Sequence, residues 1–181
     1  YGIDRNLTLH ANRLITAVRL ANRRVFRTAE SRDELSGMGT TVVAGFIEGS
    51  QFVYANVGDS RIYSFVDGTL TQLTTDDSWV ATLQSAGAIQ PGQKHPMRHV
   101  LTNVVGAREE LDVQIGERTL VDGEQLLFCT DGLHGEITEE QIVEILAREQ
   151  DVVGAADALV AAVLEQPARD NVTALVVRYQ A

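Results

Sequence analysis

Three short strings end a β-forming run with an aspartate: Val57-Gly58-Asp59-Ser60-Arg61, Cys129-Thr130-Asp131-Gly132-Leu133 and Arg169-Asp170-Asn171-Val172. Each Asp is expected where a strand meets a loop. Converging strand ends gather carboxylates at one edge of a sheet pair. Carboxylate oxygens gathered in this way suit a hard ion that keeps some of its water, such as Mg²⁺ or Mn²⁺. The chemistry they imply is metal-assisted hydrolysis. Taken singly, each string reads equally well as a turn, because Asp and Gly are default turn residues; Asp67-Gly68 and Asp122-Gly123 are plain cases.

Other catalytic arrangements fail on residue type. A cysteine phosphatase loop needs Arg six positions after its Cys, and that position after Cys129 is Gly135. Cys129 follows Leu126-Leu127-Phe128 and reads as a buried core thiol. His95 and His99 have zinc-protease spacing, but Pro96 stands where the general-base Glu is required. No Gly-x-Ser-x-Gly elbow occurs. Ser36-Gly37-Met38-Gly39 lacks the Lys-Ser/Thr of a nucleotide loop, so its glycines are read as a tight entry into a strand.

The positioning elements follow from periodicity. Residues 7 to 29 form an amphipathic helix with Leu14, Val18, Ala21 and Val25 on one face, capped by Asp4 or Asn6. Arg13, Arg23, Arg24 and Arg27 lie on other faces. Strands are expected over 40–47, 51–57, 61–66 and 69–73, with hairpin turns at Glu48-Gly49-Ser50 and Asp67-Gly68. A helix over 79–86 stops at Gly87, and residues 87–110 read as a surface excursion with short helices. Strands over 111–119, 125–130 and 172–179 and helices over 138–148 and 151–165 complete the chain. Thr138 and Gln141 form a capping box for the first of those helices. Clustered strands and paired helices, with no β-α-β alternation, give an α+β class with antiparallel sheets.

Composition bounds the rest. The 181 residues are read as one domain, 1–181, and 44% hydrophobic with 22% charged residues is ordinary for a globular protein. The formal charge of −10 argues against a nucleic-acid partner. No apolar run is long enough for a membrane span. A single cysteine excludes an internal disulfide and fits a reducing, cytoplasmic setting.

In order, Ser36-Gly-Met-Gly-Thr-Thr41, Val57-Gly-Asp-Ser-Arg61, Leu101-Thr102 with Gly106, Cys129-Thr-Asp-Gly-Leu133 and Asp170-Asn-Val-Thr173 resemble the metal-dependent protein phosphatases. This is the PPM or type-2C serine/threonine family in its compact bacterial form, matched from about residue 10 onward. The resemblance implies a four-layer α-β-β-α sandwich, two antiparallel sheets flanked by helix pairs. It implies two Mn²⁺ or Mg²⁺ ions, attack by a metal-bridging water on phosphoserine or phosphothreonine, and no phosphoenzyme. Carried over by position, Asp131 and Asp170 are metal ligands, and Asp59 with Asp131 can hold a third ion. Arg61 is assigned to an ion pair and Asn171 to ordering the loop at Asp170. His95, Arg98 and His99 fall in the family's flap and are candidates for meeting a phosphopeptide.

The family's N-terminal strands, one carrying a phosphate-binding Arg and one ending in Asp-Gly-x-Gly-Gly, have no match in the chain, which opens on Tyr1. The expectation is therefore a phosphatase domain with its N-terminal strands missing, weakly active or inactive as it stands. Its partners would be phosphorylated proteins, with a serine/threonine protein kinase opposing it. Exposed sheet edges make a dimer possible. The alternatives are a non-catalytic phosphatase-like binding domain and a phosphatase dedicated to one regulatory protein.

Overall fold

The computed structural model describes residues 2–90, 96–97, 100–149, 151–167 and 170–181. The elements run α1 (Leu9–Glu30), a 3₁₀ turn (Asp33–Leu35), β1 (Val42–Glu48), β2 (Gln51–Val57), β3 (Arg61–Val66), β4 (Thr69–Gln72), α2 (Trp79–Ser85), β5 (Gln114–Thr119), β6 (Gln125–Cys129), α3 (Asp131–His134), α4 (Glu139–Arg148), α5 (Val152–Leu164) and β7 (Ala174–Arg178). The strands form two sheets, ordered β1-β2-β5 and β4-β3-β6-β7. With helices beside antiparallel sheets, the chain has the expected α+β class. It divides into two compact units: Tyr1–Phe46, Val53–Asp59 and Thr75–Glu117 in the first, and Ile47–Phe52, Ser60–Thr74 and Arg118–Ala181 in the second.

In the first unit, α1 starts at Thr8, whose hydroxyl accepts from the Ala11 amide at 3.2 Å. Neither Asp4 nor Asn6 is the cap: the Asp4 carboxylate accepts from the Asn6 amide and closes a turn before the helix. Val18, Ala55, Val57, Val105 and Leu111 form the buried cluster of this unit, with Leu14, Val25, Val42, Val113 and Ile115 packed around it. Burying each such side chain contributes about 1.5–3 kcal/mol. Asn22, buried on α1, receives the Gly106 amide on Oδ1 and donates through Nδ2 to the carbonyls of Arg108 and Glu109.

Within the surface excursion expected over 87–110, residues 104–106 are drawn inward, while residues 107–110 stay exposed. Thr40 and Val105 exchange backbone hydrogen bonds at 3.0 Å, and Val105 is buried. The expected strand over 111–119 is shorter at its start, because Leu111 and Val113 serve the cluster without joining the ladder.

In the second unit the four-stranded sheet is antiparallel throughout, with Tyr63 opposite Leu127 and Leu127 opposite Val176. Alternation along β3 and β6 puts Tyr63, Phe65, Leu127 and Cys129 on one face. There they join a cluster with Leu133, Ile142, Leu146, Leu159 and Val163 from α3, α4 and α5. Cys129 is a buried thiol, as its sequence context requires. Asp67 at φ 50° and Gly68 at φ 75° close the β3–β4 hairpin in the left-handed region a type I′ turn demands. Thr138 and Gln141 make the full capping box of α4. Asp151 caps α5 by accepting from the amides of Val153 and Gly154.

Two polar groups inside this unit control its stability. Glu124 is fully buried, accepts from the Ser64 hydroxyl at 2.6 Å and from the Val121 amide at 3.1 Å, and pairs with Arg118 at 3.0 Å. Removing its carboxylate leaves Arg118 and Ser64 facing a void. Glu124→Ala is expected to lower unfolding free energy by about 3 kcal/mol in urea denaturation. Tyr63 is also fully buried, and its hydroxyl accepts from Arg61 Nη1 at 2.7 Å. Burial pushes the phenol above its ordinary range, against a smaller opposing pull from the Arg61 guanidinium. The unfolded phenol ionises near pH 10, at about its ordinary value, while the folded one keeps its proton. Stability should therefore fall as pH rises beyond about 10, and urea midpoints from about pH 8 to 11 should fall less steeply in Tyr63→Phe.

Candidate active site

The end of β6 and the start of β7 build one half of the acidic arrangement. In register, Cys129 lies opposite Ala174. The pairing continues one step further: the Thr130 amide donates to the Thr173 carbonyl at 3.2 Å, and the Thr173 amide donates to the Thr130 hydroxyl at 3.1 Å. Thr130 precedes α3 yet makes no side-chain cap, because its hydroxyl is committed to Thr173. Asp131 and Asp170 thus leave neighbouring strand ends, one just after β6 and the other four residues before β7.

Gly132 brings the two loops into close approach. A Cβ at that position would collide with the Asn171 carbonyl oxygen. The Asn171 amide donates to Asp170 Oδ1 at 2.7 Å and orients that carboxylate. The Asp131 carboxylate makes no hydrogen bond among the described residues; it is half-buried, and Asp170 is exposed. Arg61, two positions from Asp59, spends one guanidinium nitrogen on the Tyr63 hydroxyl.

Asp59 belongs to the first unit and is held by a different set of bonds. Gly58, at φ 101°, ends β2 against Thr41 with no room for a side chain. Its amide donates to Asp77 Oδ2 at 3.0 Å, and its carbonyl accepts from the Asp77 amide at 2.9 Å. Asp77 Oδ2 also accepts from Asn103 Nδ2 at 2.8 Å, and Asn103 Nδ2 reaches the Asp112 carbonyl at 2.8 Å. Buried Asn56 donates to the carbonyls of Gly58 and Thr75. Asp77, Asn56 and Asn103 are the residues that the sequence reading missed. The run Thr74-Thr75-Asp76-Asp77-Ser78 looks like any polar turn, and its partners lie far along the chain.

Hard carboxylate oxygens at one strand edge fit Mn²⁺ or Mg²⁺ by donor chemistry. Among the described residues no group of three or more His, Cys, Asp or Glu is arranged to hold a metal. Mg²⁺-type ions commonly take only one or two carboxylates and fill their remaining positions with water and phosphate oxygens. The flap candidates His95, Arg98 and His99 lie outside the described residues.

The model of the protein phosphatase 2C family matches residues 4–170. The chain belongs to the protein phosphatase 2C family. It is 35% identical over 158 residues to the serine/threonine phosphatase stp of Listeria welshimeri, covering 86% of this chain and 63% of that protein. The chain thus spans less than two thirds of that relative's length. Among solved structures, the serine/threonine phosphatase PstP/Ppp of Mycobacterium tuberculosis superposes with a TM-score of 0.90 at 32% identity, over 98% of this chain and 76% of that one. The catalytic domain of PstP in complex with two manganese ions gives 0.83 at 33% identity, over 92% and 70%. These relatives bear out the phosphatase-type fold and the bacterial family expected from the ordered motifs.

In this 2C-family chain, Gly132 is the position where backbone approach decides the geometry of both Asp loops. Gly132→Ala is expected to push the Asp170–Asn171 loop away, lowering unfolding free energy by about 1–3 kcal/mol and weakening Mn²⁺ binding, read by calorimetry.

Proposed function

We propose that the protein containing this chain is a metal-dependent protein serine/threonine phosphatase, hydrolysing phosphoserine and phosphothreonine. The observation that carries this reading is the joining of the Asp131 and Asp170 loops by the Thr130–Thr173 pair within a protein phosphatase 2C domain. Asp131 and Asp170 are the metal ligands, and Asp59 is a further carboxylate available to an additional ion. Manganese or magnesium held there supplies the Lewis acidity that polarises a phosphoryl group and makes water a nucleophile at neutral pH.

The protein's own contribution is placement. Asn171 orients Asp170 through its amide, and the ladder from Cys129–Ala174 to Thr130–Thr173 fixes where both loops begin. The sole cysteine is buried inside the sheet, so it offers no attacking thiolate. The substrates are phosphorylated proteins, and the activity would oppose a serine/threonine kinase. No described helix is long and apolar enough to cross a membrane.

The test is phosphate release from a phosphothreonine peptide by the full-length protein with and without Mn²⁺. Activity should require the metal and fall more than about 100-fold in Asp131→Asn, since one of few direct ligands is lost. Metal-independent release, or an Asp131→Asn enzyme as active as the parent, would overturn the assignment.

A further inference from the structure

The acidic chain carries one strongly basic face. Arg13, Arg19, Arg23, Arg24, Arg27 and Arg32 fall within twenty residues in which Glu30 is the only acid, although the whole chain has formal charge −10. At helical spacing, Leu20, Arg24, Arg27, Thr28 and Ser31 share a face of α1. The core positions Ala11, Val18 and Ala29 point the opposite way. With Arg32 from the following turn, that outward face lines a groove of about 540 Å³.

The chemistry of the groove is specific. Arg24, Arg27 and Arg32 are exposed and make no ion pair among the described residues. The Thr28 hydroxyl donates to the Arg24 carbonyl at 2.8 Å and the Ser31 hydroxyl to the Thr28 carbonyl at 3.1 Å. Those hydroxyl protons are therefore committed to backbone, and the guanidinium forks remain as the donors. Leu20, 53% exposed, adds an apolar contact at one end. The C-terminal dipole of α1 opposes an anion there, but it amounts to about half a charge against three full ones.

We propose that this face of α1 docks a phosphorylated segment of a protein substrate through Arg24, Arg27 and Arg32. The inference rests on the phosphatase reading for its choice of occupant. Planar guanidinium forks match phosphate oxygens in paired hydrogen bonds. A phosphorylated segment also brings side chains that can cover Leu20, as a free phosphate cannot. None of these residues is among the carboxylates assigned to the metal, and their proposed part is to select substrates.

The experiment is fluorescence anisotropy of the 181-residue chain in EDTA, where no hydrolysis interferes, with a labelled peptide bearing two phosphothreonines. Its unphosphorylated twin, a short DNA duplex and phosphatidylserine vesicles serve as comparisons. Arg24→Glu/Arg27→Glu should weaken phosphopeptide binding about tenfold or more, the loss expected for charge-assisted bonds. The milder Arg24→Gln/Arg27→Gln should act in the same direction, with thermal melts confirming that both variants fold. Asp131→Asn should bind like the parent, which separates this surface from the carboxylate site even if metal-dependent hydrolysis were to fail. Unchanged binding in both arginine variants would overturn the proposal. So would loss of binding in Asp131→Asn alone, equal binding of the unphosphorylated twin, or tighter binding of DNA or vesicles at the same salt.

Discussion

Gathering carboxylates at a strand edge works against their mutual repulsion, and that cost sets the terms for the surrounding structure. Two unit negative charges about 5 Å apart repel by roughly 3 kcal/mol at an effective dielectric near 20. A single ladder hydrogen bond contributes about 1 kcal/mol net. No one contact can hold such a site. The β6–β7 ladder supplies five register pairs, and the Thr130–Thr173 exchange extends it past the last of them. Behind it, Leu127, Cys129 and Val176 are anchored in the cluster built with α3, α4 and α5. The packing of the helices thus reaches the acidic loops through the strand register.

The same solution takes a different form at Asp59. There the strand ends in Gly58, whose left-handed backbone and contact with Thr41 leave no space for a side chain. The loop is held by a carboxylate, Asp77, which accepts from both the Gly58 amide and the Asn103 side chain. A carboxylate suits this task because its oxygens can receive several donors at once. Acidic residues in this protein therefore divide between two employments. Asp77 is a scaffold acceptor, and Asp131 has no hydrogen-bond donor committed to it among the described residues.

How much of this was legible in the sequence depends on the range of the interaction. The Thr138–Gln141 box and the Asp67-Gly68 turn are set within four residues, and they stand where the residue types put them. At the start of α1 several capping types compete within five positions, and Thr8 wins because the helix begins later than periodicity alone suggests. Leu111 and Val113 alternate like a strand but are used as cluster residues, since burial rewards them whether or not their backbone joins a ladder. Asn22, Asn56, Asp77 and Asn103 were illegible for a deeper reason. Apart from the Asp77–Asn103 pair, their partners are backbone carbonyls and amides, which no residue type at the far end marks. The metal-ligand candidates were legible only through the ordered set of strings, because a lone Asp beside Gly reads as a turn.

Net charge is a poor guide to what such a molecule binds at close range. At physiological ionic strength the screening length is about 8 Å, so charges on distant elements contribute little at any one surface. What a ligand meets at α1 is the local count, and there the guanidinium groups of Arg24, Arg27 and Arg32 outnumber the acids. The buried arrangement explains why they can stay outward. α1 satisfies its core with small and aliphatic side chains and two asparagines, Asn12 and Asn22, while Arg24 and Arg27 stay exposed. An acidic protein with one basic helix face can repel most polyanions at long range and still hold a short anionic segment that reaches that face. The two properties conflict only at low salt, where the long-range field of the whole molecule regains its reach.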